Sequence, residues 1–401
     1  MKAVVFHGTG DVRTETVSDP RIEEPTDCII KVTRTALCGS DLHLYDGFNP
    51  AMKEGDILGH EFMGEVVEIG ADVKKVAPGD RIIVPFAIAD GTCGHCRHQL
   101  TSLCENTNPG NEELIKLTGY PASALYGYSH LYGGIPGGQA EYVRVILPDS
   151  NAFRVPEELS DEQALFTTDI LPTGYMAAEN ANIKPGETVA IWGAGPVGLL
   201  TLKCAQLLGA EKVIMIDRVL ERLAMAREQG AEVINFDDED DVVERIKEIT
   251  GGEGPDACID AVGLEAHANG FQGVYDKGKQ TLKLHTDRPN ALREAIQAAR
   301  PGGSVSVPGV YAGFADKFPI GVAFGKGLTL RMGQTHVHHY VERLFDAIRE
   351  GKVDPTFVIT HRFSLDEAPE AYKMFRDKSN HCIKVVFNTN GGERRTHPVF
   401  H

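Results

Sequence analysis

The sequence predicts an α/β protein, a β-rich first part joined to a doubly wound parallel sheet that fills most of the second half. Three observations carry this expectation. Short runs of β-branched residues bounded by Gly, Pro and Asp occupy the first part of the chain. From about residue 186, apolar strands alternate with helical stretches, the signature of βαβ units. A Gly-x-Gly-x-x-Gly run stands straight after the first of those strands and straight before an apolar helix. At 401 residues the chain is long enough for two domains.

The elements follow in order. "AVVF" (3–6), "CIIKVTRTAL" (28–37), "MGEVVEIG" (63–70) and "DRIIVPFAIA" (80–89) read as strands, with Pro78-Gly79 making the turn into the last. "TVAIWG" (188–193), "KVIMID" (212–217), "ACIDAVG" (257–263), "GGSVSVPGV" (302–310) and "GLTLRMG" (327–333) read as strands of the parallel sheet. Segment 264–300 breaks the alternation. Its first half reads as a long loop, suited to covering a cofactor or substrate, and its second half as an amphipathic helix. "YVERLFDAIREGK" (340–352) gives a helix ending near Gly351, and "CIKVVFN" (382–388) a closing strand. From about residue 389 the tail is polar and Gly-containing, and is expected to be mobile.

Composition narrows the classes. A hydrophobic fraction of 42% with 24% charged residues describes an ordinary soluble globular protein. No run of about 18 apolar residues occurs, so no membrane span is expected. The start, "MKAVVFHG", reads as a first strand and not as a secretory leader. Eight unevenly spaced cysteines then suggest thiols or metal ligands in a reducing cytoplasm. A net charge of −17 argues against nucleic acid or an anionic membrane as partner.

Within "TVAIWGAGPVGLL", Gly193 permits a tight turn, Gly195 lets backbone approach a pyrophosphate, and Gly198 lets helix pack on strand. Pro196 and Val197 open the helix whose N-terminus would face the phosphates. The next strand ends at Asp217, the distance expected for a ribose-binding carboxylate, which favours NAD over NADP. Arg218 is either a phosphate contact, a solvent-facing charge or a plane stacked on adenine. Arg222 is either a ribose or pyrophosphate contact or a helix-surface cation.

"ALCGSDLHLYDG" (36–47) and "LGHEFMGEVVEIG" (58–70) place Cys38, Ser40 and His43 in one stretch and His60-Glu61 in another. A single buried Cys is commonly a small hydrophobe, and a single His a satisfied core residue. Together with "APGDRI", "GGQAEYVRV" (137–145), "GAGPVG" and "CIKVVF", in this order, they resemble the zinc-dependent medium-chain alcohol dehydrogenases over nearly the whole chain. "FTTDILPTGY" (166–175), "DRPNALREAIQAARPGG", "SVPGVY" and "GKGLTLRMGQTHV" resemble one subgroup, the glutathione-independent formaldehyde dehydrogenases and formaldehyde dismutases.

The resemblance implies a GroES-like catalytic domain in two segments, 1–168 and 336–401, around a Rossmann domain at 169–335. It implies a catalytic zinc on Cys38, His60 and Asp169, with an open fourth position for an alcohol that loses its proton there. Cys38 as thiolate, His60 neutral and Asp169 ionised leave the zinc site formally neutral. Ser40 would take the alcohol proton and pass it by way of the cofactor ribose to His43. Glu61 would face the zinc from behind and join it transiently, or else be a buried acid paired to a cation. Gly39, Ser40, His43 and Thr173 would line the nicotinamide end. Val197, Val262, Gly263, Pro308, Gly333 and Thr335 fall at cofactor backbone-contact positions, and His267 in the long loop. In the subgroup that loop helps to retain NAD through turnover.

The implied activity is hydride transfer between NAD and a small alcohol or hydrated aldehyde, in the manner of a formaldehyde dehydrogenase. The same catalytic residues also serve a secondary-alcohol or polyol dehydrogenase, or a dismutase with tightly bound NAD. A non-catalytic NAD(P)-binding protein or zinc-free reductase on this fold would lack Cys38, His60 and Asp169. The family assembles as homodimers or homotetramers, and the subgroup inclines to tetramers.

The stretch "DGTCGHCRHQLTSLC" (90–104) matches the family's structural-zinc spacing C-x2-C-x2-C-x7-C, with Asp90 in place of the first cysteine before Cys93, Cys96 and Cys104. A carboxylate is an acceptable zinc ligand, so a closed Asp-Cys₃ site is expected, softer ligands being fewer than in Cys₄. His95 and His98 fit the spacing less well, and a lobe folding without metal is the alternative.

Overall fold

The computed structural model describes residues 1–49, 51–263, 289–311 and 317–389, with the backbone of 395–396. Two units are present. Met1–Pro172 and His336–His401 form the first, and Thr173–Thr335 is inserted between them as the second. The division falls after Pro172, not after Thr168 as expected, and so Asp169 belongs to the first unit.

The first unit is built on an eight-stranded sheet whose centre is the strand Asp27–Leu37. This strand pairs antiparallel with Glu61–Ile69, with Tyr142–Ile146 and with Val385–Asn388 near the chain's end. His361–Ser364 lies parallel to Val385–Asn388, and Arg395–Thr396 adds antiparallel to its outer edge. One face of the strand packs Ile30 and Val32 with Phe62, Ile82 and Tyr126. A second cluster joins Leu37 and Leu44 to Tyr372, Phe375 and Phe387 from the other end of the sequence. The run 80–89 is two strands, Arg81–Val84 and Ala87–Ile88. Pro85 separates them because it has no N–H to give to the ladder.

The second unit contains a six-stranded parallel sheet. Numbered within the unit, Thr188–Trp192, Lys212–Asp217, Glu232–Asn235, Ala257–Asp260, Ser304–Val307 and Thr329–Met332 lie in the order 3-2-1-4-5-6, the Rossmann arrangement. All pairings are parallel. The four inner strands are buried on both faces, as a sheet covered by helices requires, while the edge strands Glu232–Asn235 and Thr329–Met332 are partly exposed. The long loop expected at 264–288, with His267, lies outside the described residues. The helix expected after it runs Asn290–Ala298, and the later amphipathic helix Val341–Arg349. Among the described residues no helix is long and apolar enough to cross a membrane.

Candidate metal centre and dinucleotide loop

Cys38 and His60 meet because two strands end side by side. Asp27–Leu37 and Glu61–Ile69 run antiparallel with Ala36 opposite Glu61, so the residues just past the ladder are neighbours. At Cys38 the chain turns into the helix Gly39–Tyr45, and Asp41 Oδ2 fixes that turn by accepting the Cys38 amide at 2.9 Å. Gly59, just before His60, has φ +99°, and a side chain there would collide with Gln139. Asp169 comes from elsewhere in the unit. The turn Phe166–Thr168 ends at it, and the Phe86 amide donates to the Thr168 carbonyl at 3.3 Å.

The result is a compact donor set. Asp169 Oδ2 lies 3.6 Å from Cys38 Sγ and 3.4 Å from His60 Nε2. Donor atoms of Cys38, His60, Glu61 and Asp169 all lie within 4.8 Å of one another, and all four residues are buried. Ser40 Oγ is 4.0 Å from Cys38 Sγ. Gly39 is the exposed first residue of the helix, and His43 lies further along it, its ring edge-on to Phe48.

Four residues around this set carried no signal in the motifs. Asp41 Oδ1 lies 3.1 Å from His60 Nδ1, which turns Nε2 toward Asp169. Gln139 Nε2 donates to Asp41 Oδ2 at 3.3 Å, and Tyr372 OH donates to Gln139 Oε1 at 2.8 Å. Lys384 Nζ donates to Glu61 Oε1 at 2.7 Å, with both side chains wholly buried. A lone lysine in the otherwise apolar run "CIKVVF" was the available clue.

The electrostatics fit a divalent cation. Burial first, then the nearby Glu61 and Asp169, push the Cys38 thiol up to about 11. Burial raises Glu61, and Lys384 offsets this only in part. Burial would lower His60, yet Asp41, Cys38 and Asp169 together draw it well above its ordinary value. Several acidic groups thus crowd one dry site, and one thiolate, one imidazole and one carboxylate is a donor set that zinc accepts.

In the second unit the glycine positions are set by contact. Gly193 has φ +93°, and a Cβ there would come within 2.7 Å of Val262 Cγ2. A Cβ on Gly198 would collide with the Gly193 carbonyl oxygen. Gly195 caps the helix Pro196–Leu207, and its Cβ would meet nothing nearer than Arg222 Nη1 at 3.6 Å. Since Pro196 has no N–H, the unpaired donors of the first turn are those of Val197 and Gly198.

Asp217 closes this loop. Its Oδ2 accepts the Ala194 amide at 2.7 Å, while Oδ1 accepts those of Arg218 and Val219 at 2.7 and 2.9 Å. Arg222 Nη1 lies 4.0 Å from Asp217 Oδ2. Arg218 pairs with Asp237 at 3.2 Å and lies over the Phe236 ring. Asp260 Oδ1 holds the amides of Val262 and Gly263 at 3.0 and 3.1 Å. Pro308 and Gly333 directly follow the strands Ser304–Val307 and Thr329–Met332, and Thr335 Oγ1 donates to Thr173 Oγ1 at 2.9 Å. The strand-following residues therefore gather at the carboxyl ends of the parallel sheet, where such sheets bind ligands.

The cysteine lobe also assembles. Donor atoms of Asp90, Cys93, Cys96 and Cys104 lie within 4.8 Å of one another, with Cys93 and Cys104 sulfurs 3.9 Å apart. Asp90 Oδ1 accepts the amides of Thr92 and Cys93 at 2.8 and 2.9 Å, and Oδ2 accepts Asn106 Nδ2 at 2.6 Å. Partial burial opposes its charge, but these donors hold the carboxyl well below the usual range. Burial likewise opposes a thiolate at Cys93, and the amides of Cys96 and Glu105 overcome it. His95 joins Cys93 and Glu105 in a second, overlapping group; His98 joins none among the described residues.

The chain matches two family models, "Alcohol dehydrogenase GroES-like domain" over residues 24–157 and "Zinc-binding dehydrogenase" over 196–282. It is 42% identical to the zinc-type alcohol dehydrogenase-like protein AdhB of Bacillus subtilis, over 96% of this chain and 99% of that one. It is 35% identical to the glutathione-independent formaldehyde dehydrogenase of Pseudomonas aeruginosa, over 93% of this chain and 94% of that one. Among solved structures it matches the alcohol dehydrogenase TADH from Thermus sp. ATN1 with a TM-score of 0.81 and 36% identity, covering 97% and 99% of the two chains.

Proposed function

The chain belongs to the zinc-dependent alcohol dehydrogenase family, and from that premise we propose that it oxidises a small alcohol or hydrated aldehyde with NAD, formaldehyde being the favoured substrate. The observation that carries the reading is the buried donor set of Cys38, His60 and Asp169, a carboxylate standing as the third ligand. When bound there, zinc supplies a Lewis acid that draws charge from the substrate oxygen, and NAD supplies the hydride acceptor.

The chain's own groups do the rest. Cys38 and Asp169 offset the metal's charge, and Asp41 fixes the His60 tautomer that leaves Nε2 free to coordinate. Ser40, 4.0 Å from Cys38 Sγ, accepts the substrate hydroxyl proton, and His43 on the same helix delivers it to solvent. The test is a kinetic panel of formaldehyde, ethanol, 2-propanol and polyols, with and without added NAD. Formaldehyde oxidation without glutathione supports the reading; no zinc-dependent turnover of any of them overturns it.

NAD is preferred over NADP because the Asp217 carboxylate accepts ribose hydroxyls and repels a 2′-phosphate. Its hold on Ala194 adds a consequence. Asp217→Ala is expected to weaken NAD binding by about 2 kcal/mol, roughly 30-fold, without gaining NADP, because the loop loses an anchor as well. Titration of both cofactors against the fluorescence of Trp192, the only tryptophan in the chain, checks this.

The lobe is proposed to hold a second, structural zinc on Asp90, Cys93, Cys96 and Cys104. Metal analysis should find two zinc ions per chain, and Asp90→Ala should leave one. One ion in the unmodified protein would mean an empty lobe. Self-association is supported by the sheet edge at Thr329–Met332 and by three exposed apolar side chains, Met332 on that edge and Ile320 and Phe324 in the helix before it, 59%, 66% and 87% exposed. We propose a homotetramer, and the molecular mass in solution decides it.

A further inference from the structure

Glu61 is wholly buried one residue after His60, and only one of its oxygens is engaged. Oε1 accepts Lys384 Nζ at 2.7 Å, whereas Oε2 has no hydrogen-bond partner among the described residues. A Glu61 oxygen also lies within 4.8 Å of the donor atoms of Cys38, His60 and Asp169. The centre therefore contains one more protein donor than the three a catalytic zinc ordinarily takes while keeping a position open. Something must hold that ligand back.

Lys384 is placed to do so by the sheet register. Val385 pairs with Leu37, which sets Lys384 beside the strand end that carries Cys38. Its ammonium is wholly buried and lies 5.7 Å from the centre of the Phe166 ring, so it has no route to solvent. A buried ammonium and a buried carboxylate each lose their hydration, and each is tolerated only while it holds the other. Leaving Lys384 for the metal would strand that cation. With Lys384 present, the charges of a divalent ion, the Cys38 thiolate, Asp169 and Glu61 balance.

Resting on the zinc reading above, we propose that Lys384 is a positioning residue that keeps Glu61 off the metal and so preserves the open position for substrate. Removing the ammonium frees a carboxylate already within reach, and Glu61 becomes an additional ligand. The consequence runs opposite to that of a merely structural lysine. A structural loss would loosen the metal, whereas here the metal is held more tightly and turns over more slowly.

The test uses the full-length holoenzyme with zinc exchanged for cobalt(II), whose visible bands are intense in four-coordination and weaken when a ligand is added. The lobe contributes equally to all variants and cancels in difference spectra. Unmodified enzyme should show the four-coordinate spectrum. Lys384→Met should lose band intensity, release metal to a chelator more slowly, and fall about 10–100-fold in turnover. Lys384→Met combined with Glu61→Gln should regain the four-coordinate spectrum, since an amide is a poor zinc ligand. An unchanged Lys384→Met spectrum, or faster metal release, overturns the proposal. A five-coordinate spectrum in the unmodified enzyme overturns it too, even if the variants fail to fold. Unmodified enzyme that takes up no metal at Cys38 and His60 overturns the zinc reading itself.

Discussion

Replacing Asp169 with alanine is expected to remove the metal of the Cys38–His60 centre and the turnover together. Asp169 Oδ2 is the donor that approaches both Cys38 Sγ and His60 Nε2, at 3.6 and 3.4 Å. Without it two donors remain, and Glu61 is tied to Lys384. Loss of an outer partner of a ligand costs about 10–100-fold, and loss of a ligand should exceed that. Metal content and rate measured on one preparation decide the matter. Asp169→Cys should bind zinc again, because thiolate is an acceptable third donor. Activity retained in Asp169→Ala would remove this residue from the centre.

The second large effect separates two glycines of one loop. Gly198→Ala would drive a Cβ into the carbonyl oxygen of Gly193, a backbone atom that cannot turn aside. A loss of about 2–3 kcal/mol is expected, a fall of roughly 4–12 °C in the melting temperature, with cofactor binding lost as well. Gly195→Ala meets only Arg222 Nη1 at 3.6 Å, an ordinary contact, and Gly195 has a φ of −68°. That variant should melt like the unmodified protein and yet bind NAD at least about tenfold more weakly, because the new methyl stands where backbone approaches pyrophosphate. Thermal melts beside Trp192 fluorescence titrations provide both readings. If Gly195→Ala bound NAD normally, the loop would not be the phosphate site.

What could be read from the sequence was what local chemistry forces. Gly193 and Gly198 have contacts that exclude a side chain, so their spacing carries information without any alignment. The apolar runs of the parallel sheet are equally plain, because strands covered on both faces tolerate little else. The strand run 80–89 was read too long because Pro85 breaks its ladder. The domain boundary was read too early. Asp169 adjoins the second unit in sequence but its donor partners Cys38 and His60 lie in the first.

The polar residues behind the metal centre were the least legible. Gln139 reaches Asp41 across 98 residues of sequence, and Lys384 reaches Glu61 across 323. A buried Gln or Lys is indistinguishable by type from a solvated one, and its role depends on a partner that no local pattern names. Asp41 stands in plain view within "CGSDLH", yet nothing in that stretch names His60 as its partner. The sheet register, with Leu37 beside Val385 and Ala36 opposite Glu61, is what brings Lys384 to Glu61.

The split of the first unit around the second sets an order of events during synthesis. Thr173–Thr335 leaves the ribosome as one continuous stretch and can pack its own sheet as it emerges. The earlier segment cannot finish. The Arg34–Leu37 end of the central strand lacks its second partner until Val385–Asn388 is made, and Glu61 lacks the Lys384 ammonium until that residue arrives. Cys38 and His60, the proposed metal ligands, are thus among the first residues translated, while the charge that completes their surroundings is among the last. A nascent chain stopped before residue 384 would hold the ligands without the site.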